Sequence, residues 1–321
     1  MPFPFLIPTI MVLLALALDL MFNDPPNKFH PTAWLGKIIA LMVPHLKSKS
    51  QQVEKINGVF LALTAILIYV LPIYMLVKLS SYSLILELVI SAALLKLTFA
   101  LKCMSKHVNP SIRQLANGDL ESARRTISLI VRRDVSRLDE HLLASAAIES
   151  TAESIVDGFS SPLFYFSLFG VIGAAAYRAI NTLDSMVGYR DPYFINIGWF
   201  SAKLDTLANW ISARLAAIMI ILSSLLLRLD WKSSLKIALR DHRKTESLNA
   251  GWVMAAMAGA LRVRLEKPGH YTLGEEFFLP SYRDISLSLK IMYLASLLFM
   301  ITICFPLSIL FSLVWEVLTC V

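Results

Sequence analysis

The sequence predicts an all-α, polytopic helical membrane protein with about four to six spans and long helical cytoplasmic segments. Of its 321 residues, 56% are hydrophobic and only 17% are charged, and the mean hydropathy is +0.63. These values exclude a soluble globular protein, because a water-facing surface needs more polar residues. The apolar residues also form long blocks and do not alternate with polar ones, which excludes a transmembrane barrel. We expect residues 1–321 to form one integral-membrane domain.

Six apolar windows are long enough to cross a bilayer, since a spanning helix needs roughly 20 apolar residues. They cover residues 3–22, 59–77, 84–101, 159–180, 211–229 and 291–318. The fourth and fifth windows also fit re-entrant or partly submerged helices, because they contain Pro162, two glycines and Arg214. The prediction therefore leaves four and six spans open.

Positively charged residues are distributed unevenly between these windows. If all six windows span, 24 of the 30 Lys and Arg residues fall on one side, with Arg228 counted there, and five fall on the other. Cytoplasmic loops carry the excess of Lys and Arg, so the large polar segments are predicted inside the cell and both termini outside. A four-span chain with residues 102–290 in the cytoplasm satisfies the same rule. The net charge of +7 therefore indicates topology, and we predict no nucleic-acid partner.

The polar segment after the third window is predicted to form one long helix over residues 119–157. Asp119 and Glu121 lie at its start, no Pro or Gly interrupts it, and Gly158 with Pro162 supplies the stop. Seven residues recur along it at a stride of four, which stacks neighbours on one helix face. They are Arg133, Arg137, His141, Ser145, Glu149, Glu153 and Asp157. A solvated helix face is the alternative interpretation of such a charge pattern.

The acidic end of this face is a candidate metal site. Glu149, Glu153 and Asp157 are like charges four residues apart, which is unfavourable on an isolated helix unless a cation lies among them. They also approach a membrane-depth segment, where ionisable groups are functional candidates. Carboxylates are the usual ligands of a magnesium ion that carries a nucleotide phosphate. We therefore predict these three residues as metal ligands.

Four further polar groups lie outside the windows or at their ends. Asp24-Pro25-Pro26 with His30-Pro31 predicts a stiff extended loop directly after the first window. The remaining groups are Arg178 with Asn181 and Asp184, Asp205 with Asn209, and the polar segment Lys244 to Asn249, which includes Glu246. That last segment precedes a helix in which small residues at four-residue spacing predict close helix packing. No Walker A loop, dinucleotide-binding glycine motif, zinc-protease motif or nucleophile elbow is present, so any nucleotide chemistry must use a different kind of site.

The polar segments resemble the CobD/CbiB family of cobalamin biosynthesis, the adenosylcobinamide-phosphate synthases. The resemblance runs nearly end to end, and its most specific part is the run from Tyr177 to Tyr189. Its other carriers are Asp24 to Pro26, His30-Pro31, Arg133-Asp134, Ala147 to Ser154, Asp157-Gly158, Ser161 to Tyr165, Gly198-Trp199, Ser201 to Asp205, Arg240-Asp241, Lys244 to Ser247 and Asn249 to Trp252.

The resemblance implies ATP-dependent amidation of adenosylcobyric acid with aminopropanol phosphate or aminopropanol. ATP and Mg²⁺ are the implied cofactors, and the implied partners are the corrinoid, the amino alcohol phosphate, the lipid bilayer and, as a further possibility, other corrinoid-assembly enzymes. On this basis we predict as catalytic residues His141, Glu149, Glu153, Asp157, Asp184 and Asp205. The predicted substrate- and phosphate-binding residues are Asp24, His30, Arg133, Arg178, Asn181, Lys244, Glu246 and Asn249.

Two other function classes remain open at this point. One is a non-catalytic regulatory or sensory membrane protein of the same family shape, which would not require the three carboxylates. The other is a transporter of small solutes, which should place charges within spans and often shows an internal repeat. If the chain is the ligase, no single segment holds enough groups for the reaction. We therefore expect the segment ending at Asp157, the Asn181/Asp184 pair, Asp205 and the segment Lys244 to Asn249 to converge on one cavity at the cytoplasmic boundary, with Asp24 and His30 at its rim.

Overall fold

The chain folds into fourteen described α-helices and one short β-hairpin. The computed structural model describes residues 6–22 and 24–319, without the side chains of residues 315–319. Contacts divide the chain into two compact units, the first made of residues 1–100, 161–209 and 303–321, and the second of residues 101–160 and 210–302. Each unit is therefore built from separate stretches of sequence.

In the described residues of the first unit, the regular secondary structure is helical. Its helices are α1 (Ile7–Met21), α2 (Pro31–Leu46), α3 (Gln51–Ser80), α4 (Leu84–Lys96), α8 (Ser161–Val187), α9 (Trp199–Ala208) and α14 (Phe305–Thr319). Helix α3 packs against α8, and its buried face carries Leu61, Ala62 and Ala65. Gly58 on the same face is required, because a Cβ there would come within 2.2 Å of the Ile197 carbonyl oxygen.

The second unit combines helices with the hairpin. It contains α5 (Leu101–Ala116), α6 (Leu120–Ser128), α7 (Glu140–Ile155), α10 (Trp210–Leu226), α11 (Trp231–Asp241), α12 (Ala250–Leu261), β1 (Leu265–Lys267), β2 (Tyr271–Leu273) and α13 (Tyr282–Phe299). The strands pair antiparallel, with Leu265 opposite Leu273. Helix α12 is small-residue-rich and packs closely against α11, as predicted, since a Cβ on Gly259 would lie 2.3 Å from the Ser233 carbonyl oxygen.

The number of candidate spans agrees with the predicted range. By length and composition, four helical stretches could cross a membrane, or five if Trp199–Ala208 and Trp210–Leu226 form one broken span. The four are Gln51–Ser80, Leu84–Ala116, Glu140–Val187 and Tyr282–Val314. The first window differs from the prediction, because α1 has only 15 residues and is a shorter apolar helix. Residues 3–5 of that window lie outside the described residues.

The long helix predicted over residues 119–157 is wrong. Helix α6 ends at Ser128 and α7 begins at Glu140, so Arg133 and Arg137 lie in an irregular connection. The reason is local, because Asp side chains compete with helical hydrogen bonding. Asp134 accepts from the Ser136 N–H at 2.9 Å, and Asp139 caps α7 by accepting from the Leu142 N–H at 2.8 Å. A helix can therefore stop and restart here without Pro or Gly.

The predicted stop at Gly158 and Pro162 is also wrong. A π-helical turn, Val156–Ser160, connects α7 to α8, and Pro162 follows shortly after this turn, so the helical stretch continues past both Gly158 and Pro162. The break comes instead inside α8, where Phe169 and Gly170 leave helical geometry and Gly170 has φ of +63°.

Helix α8 folds back on itself at this break. A Cβ on Gly173 would lie 2.4 Å from the Tyr165 carbonyl oxygen, and the Tyr165 and Tyr177 rings stack with centroids 5.5 Å apart. In a straight helix, residues 12 apart are separated by about 18 Å. Helix α8 is therefore a helical hairpin with its tip at Phe169 and Gly170. This geometry favours the re-entrant alternative for the fourth window.

Candidate functional site

Glu149 is the centre of a buried polar cluster in the second unit. Ser145 Oγ donates to its Oε1 at 2.5 Å, and the Tyr271 hydroxyl donates to its Oε2 at 2.9 Å. The Arg133 guanidinium lies 3.4 Å from Oε2, so the irregular connection brings this cation to the carboxylate without a shared helix. The Glu266 N–H donates to Ser145 Oγ at 2.8 Å, which ties the hairpin to α7. Burial and the Glu149 charge raise the pKa of Tyr271, so its phenol stays protonated and remains a donor.

The next carboxylate along α7 differs from Glu149 in its surroundings. The Glu153 side chain is exposed, whereas only 6% of Glu149 is accessible. The charges that act on Glu153 are the carboxylates of Asp157 and Glu149 and the cations Lys267 and Arg132. The carboxylates of Glu153 and Asp157 thus occur with two cations, Arg132 and Lys267, that the sequence analysis did not select as site residues.

The metal role predicted for Glu149, Glu153 and Asp157 stays a prediction. Within the described residues, no group of three or more His, Cys, Asp and Glu side chains is arranged to hold a metal ion. Glu149 is held by Arg133, Ser145 and Tyr271, and the π-helical turn changes the phase of the helix before Asp157. A magnesium ion that carries a phosphate needs only one or two protein carboxylates, so Glu153 and Asp157 still fit a metal-bound nucleotide.

His141 borders a polar cavity of about 180 Å³ in the second unit. Its Nδ1 lies 2.9 Å from the Pro280 carbonyl oxygen, and a carbonyl can only accept, so Nδ1 carries the hydrogen. Nε2 is then the nitrogen that can take up a proton, and Glu140 Oε1 lies 3.4 Å from it. Ser145, Arg264 and Glu266 also line this cavity, which places it next to the Glu149 cluster.

Asp241 organises the segment from Lys244 to Asn249. Its fully buried carboxylate accepts from Arg240 Nε at 2.8 Å and from the Gly274 N–H at 2.9 Å, and Lys244 Nζ lies 3.0 Å away. Burial alone would raise the pKa of Asp241, but these donors hold it at about 2. Arg240 also makes two hydrogen bonds to Glu276, which lower the pKa of that carboxyl to about 2. Lys244 is thus fixed by a buried carboxylate that the sequence analysis did not select.

The other two predicted residues of that segment have separate partners in the second unit. Glu246 Oε1 lies 2.7 Å from Nδ1 of His270. Asn249 Oδ1 accepts from Arg214 at 3.3 Å, and the Arg214 guanidinium lies 4.3 Å from the Trp210 ring centre. Glu246 therefore contacts His270, and Asn249 contacts Arg214.

Lys96 joins two aspartates inside the first unit. Its ammonium hydrogen-bonds Asp24 and lies 3.5 Å from Asp19 Oδ1. Asp19 is 1% exposed and Lys96 is 6% exposed, so the ions are enclosed between α1 and α4. A buried carboxylate without its cation is costly. Lys96 therefore fixes the loop that carries Asp24.

His30 and Arg178 lie in the same region of the first unit. His30 Nδ1 accepts from the Thr32 N–H at 3.2 Å and caps α2. Burial lowers the pKa of His30, the Asp24 charge opposes this, and the Arg178 and Lys96 charges add to it. Arg178 Nε donates to the Thr98 carbonyl oxygen at 2.7 Å and Nη1 to Asn181 Oδ1 at 3.1 Å. The structure thus places the charges of Asp24, Arg178 and Lys96 around His30, and Asn181 is bound to Arg178.

Asp184 and Asp205 have distinct settings in the first unit. A Cβ on Gly188 would lie 2.0 Å from Asp184 Oδ1, so the carboxylate lies directly over that glycine at the end of α8. Asp205 Oδ2 accepts from Asn209 Nδ2 at 3.0 Å, and its charge also acts on the Tyr165 phenol.

The comparisons with known proteins agree over most of the chain. A family model described as CobD/Cbib protein matches residues 12–300. The chain belongs to the CobD/CbiB family. It is 38% identical over 298 residues to the probable cobalamin biosynthesis protein CobD of Thermoplasma volcanium, which covers 93% of this chain and 97% of the relative. It is 41% identical over 280 residues to the cobalamin biosynthesis protein CobD of Dehalococcoides mccartyi, with 86% and 91% covered. No solved structure matches.

Within this CobD/CbiB chain, the predicted site residues form two groups. The first unit holds Asp24, His30, Arg178, Asn181, Asp184 and Asp205, and the second holds Arg133, His141, Glu149, Glu153, Asp157, Lys244, Glu246 and Asn249. Convergence of both groups on one cavity stays a prediction.

Four polar residues were missed as site candidates. Lys96 is visible in the sequence as a lone cation in an apolar window, and Asp241 as part of an Arg-Asp pair. No sequence pattern indicates Tyr271 or Glu276. Tyr271 contacts Glu149, and Glu276 contacts Arg240, only in the folded chain.

Proposed function

We propose that this chain is an ATP-dependent amide ligase of cobalamin biosynthesis. It would join a propionate side chain of adenosylcobyric acid to aminopropanol phosphate or aminopropanol, giving adenosylcobinamide phosphate or adenosylcobinamide. Family membership and the names of the relatives support the pathway. The observation that carries the chemistry is the exposed Glu153 carboxylate, with Asp157, Arg132 and Lys267 acting on it.

The reaction sets a clear chemical demand. A carboxylate is a poor electrophile, so its oxygen must first take up a phosphoryl group from ATP to form an acyl phosphate. The amine then attacks the carbonyl carbon, the carbon–oxygen bond to phosphate breaks, and the amine loses a proton to a base. The protein must therefore bind several phosphate oxygens, hold the carboxylate still and accept one proton.

The residues of the second unit can meet this demand. Glu153 and Asp157 would hold the magnesium ion, which neutralises phosphate charge when bound. Arg132 and Lys267 would contact phosphate oxygens, since cations form strong charge-assisted hydrogen bonds with them. His141 is the candidate base, because its Nδ1–H is oriented by the Pro280 carbonyl and Glu140 can stabilise the imidazolium that forms.

The first unit supports the proposal through substrate binding. Arg178 supplies positive charge beside His30 and Asn181, which suits the phosphate or carboxylate groups of the substrates. The transporter alternative predicted charges within spans, and the buried Asp19–Lys96 pair does lie within apolar windows. The polar cluster around Glu149 and the exposed Glu153 lie in the second unit and offer charged groups to a bound phosphate. We therefore favour the ligase over the transporter.

The test is direct. Protein purified in detergent is incubated with adenosylcobyric acid, ATP, Mg²⁺ and either aminopropanol phosphate or aminopropanol, and the amide is measured by mass spectrometry together with ADP and phosphate. We expect amide and ADP in equal amounts. ATP turnover without amide, or no reaction with either amine, would contradict the proposal.

A further inference from the structure

A large apolar cavity lies in the first unit, and no residue proposed for the reaction lines it. Its volume is about 570 Å³, within the range of about 300–1,000 Å³ that is typical of ligand sites. Helices α1, α3, α4, α8 and α14 line it, with walls that include Met11, Val77, Phe166, Val171 and Phe311. All but α1 belong to candidate spans, so the cavity lies within the bilayer region.

Two polar side chains of α4 face this cavity. Ser91 is 1% exposed, and its hydroxyl has no hydrogen-bond partner among the described residues. Glu87 lies one turn earlier, so the two residues share one helix face, and both line the cavity. Within the described part of the chain, Glu87 forms no ion pair. An unpaired hydroxyl is expensive in hydrocarbon, so Ser91 calls for a ligand, and Glu87 offers a carboxylate to the same ligand.

The tip of the α8 hairpin supplies an independent observation. Phe169 and Gly170 leave helical geometry and line the same cavity. Non-helical backbone at membrane depth is tolerated where it is buried in protein or lines a water-filled cavity. A Cβ on Gly170 would meet nothing within 4 Å, so the tip borders open space. The tip therefore leaves this end of the cavity open.

We propose that this cavity binds one membrane lipid whose head group carries a primary ammonium. Glu87 lies in the first turn of α4, just after the turn that joins two candidate spans, at the depth of lipid head groups. A carboxylate only accepts hydrogen bonds, and an ammonium group offers three donors. Ser91 lies about 6 Å deeper along the helix, where glycerol oxygens follow a head group. The apolar walls then enclose an acyl chain.

The experiment compares two lipids that differ only in N–H donors. The protein is exchanged into nanodiscs of phosphatidylethanolamine or phosphatidylcholine with identical chains, then released into detergent, and retained lipid is counted by native mass spectrometry. We expect one phosphatidylethanolamine per chain, retained about tenfold over phosphatidylcholine, the ratio that a charge-assisted hydrogen bond provides. Equal retention of the two lipids, or retention of neither, overturns the proposal.

Two variants and two matched controls sharpen the test. E87Q should reduce phosphatidylethanolamine retention to the phosphatidylcholine level, and S91L should weaken retention by removing the hydroxyl and narrowing the cavity. V89L enlarges a lipid-facing residue of the same helix, and E121Q removes an exposed carboxylate of the second unit. Both controls should retain lipid as the unmodified chain does. Because E87Q leaves shape unchanged, unaltered selectivity in it would refute the proposal even if S91L fails to fold.

Discussion

The hydroxyl groups of Ser161 and Tyr177 both donate to the same oxygen, Oδ1 of Asn209, at 2.6 Å and 2.8 Å. The two residues are sixteen apart in α8, a separation of about 24 Å in a straight helix. Asn209 therefore closes the α8 hairpin at the end opposite its tip, and its Nδ2 donates onward to Asp205. The predicted catalytic residue Asp205 is thus tied to both arms of the hairpin.

This closure predicts energetic coupling between the two hydroxyls. S161A and Y177F, alone and combined, should show a coupling of at least about 0.5 kcal/mol, because residues that share a hydrogen-bond partner are not additive. The measurement is the free energy of unfolding in detergent from denaturant titrations. The control pair S161A and S185A should be additive, since Ser185 bonds the Thr182 carbonyl instead. Additivity of S161A with Y177F would show that the hairpin is open in solution.

Glu153 should be essential for turnover and unimportant for folding. E153Q is expected to abolish amide formation, because it removes a carboxylate from the proposed magnesium site, while expression and thermal stability stay near normal for an exposed side chain. The matched control is E121Q, which removes an exposed carboxylate of α6. Full activity of E153Q would remove the proposed metal role.

Lys96 should stabilise the first unit through its two aspartates. K96M is expected to destabilise the chain by about 3–5 kcal/mol, since it removes the cation that faces the buried Asp19 carboxylate and hydrogen-bonds Asp24. The double variant D19N/K96M should recover part of this loss, because the buried charge is then gone. Thermal unfolding in detergent provides the measurement. A double variant less stable than K96M would show that Asp19 is stabilised by something other than Lys96.

Acidification should destabilise the region around His30. Its pKa in the folded chain lies below the ordinary value of 6.5, so the unfolded chain binds the proton more readily. Stability should therefore fall as the pH drops below about 6.5. H30N should flatten this dependence between pH 7 and pH 5.5 in thermal unfolding. An unchanged slope in H30N would assign the pH effect to another group.

The charge distribution predicts the orientation of the chain. A cysteine introduced at Asn117, in the turn before Gly118, should be protected from a membrane-impermeant thiol reagent in intact cells and labelled after lysis. A reporter fused after Val321, which lies outside the described residues, should be active outside the cytoplasm. The opposite pattern would place the proposed site away from cytoplasmic ATP.

The sequence by itself determined the fold class, the family and most candidate residues. Apolar blocks and the excess of Lys and Arg are local properties of composition, so they can be read without knowing how the helices pack. The packing of α12 was also predictable, since glycine spacing directly reports close approach.

Only the tertiary structure decided which groups meet. The stride of four suggested that Arg133 belongs to the same helix as Glu149, but the chain breaks between them and the contact forms across a loop. The α8 hairpin likewise depends on Asn209, which lies far along the sequence from both arms. Periodicity reports one helix face at a time. The partner of a buried charge depends on which opposite charges the folded chain brings close to it. The pairs Lys96–Asp19 and Asp241–Lys244 form because a buried carboxylate without a nearby cation lowers the stability of the folded chain.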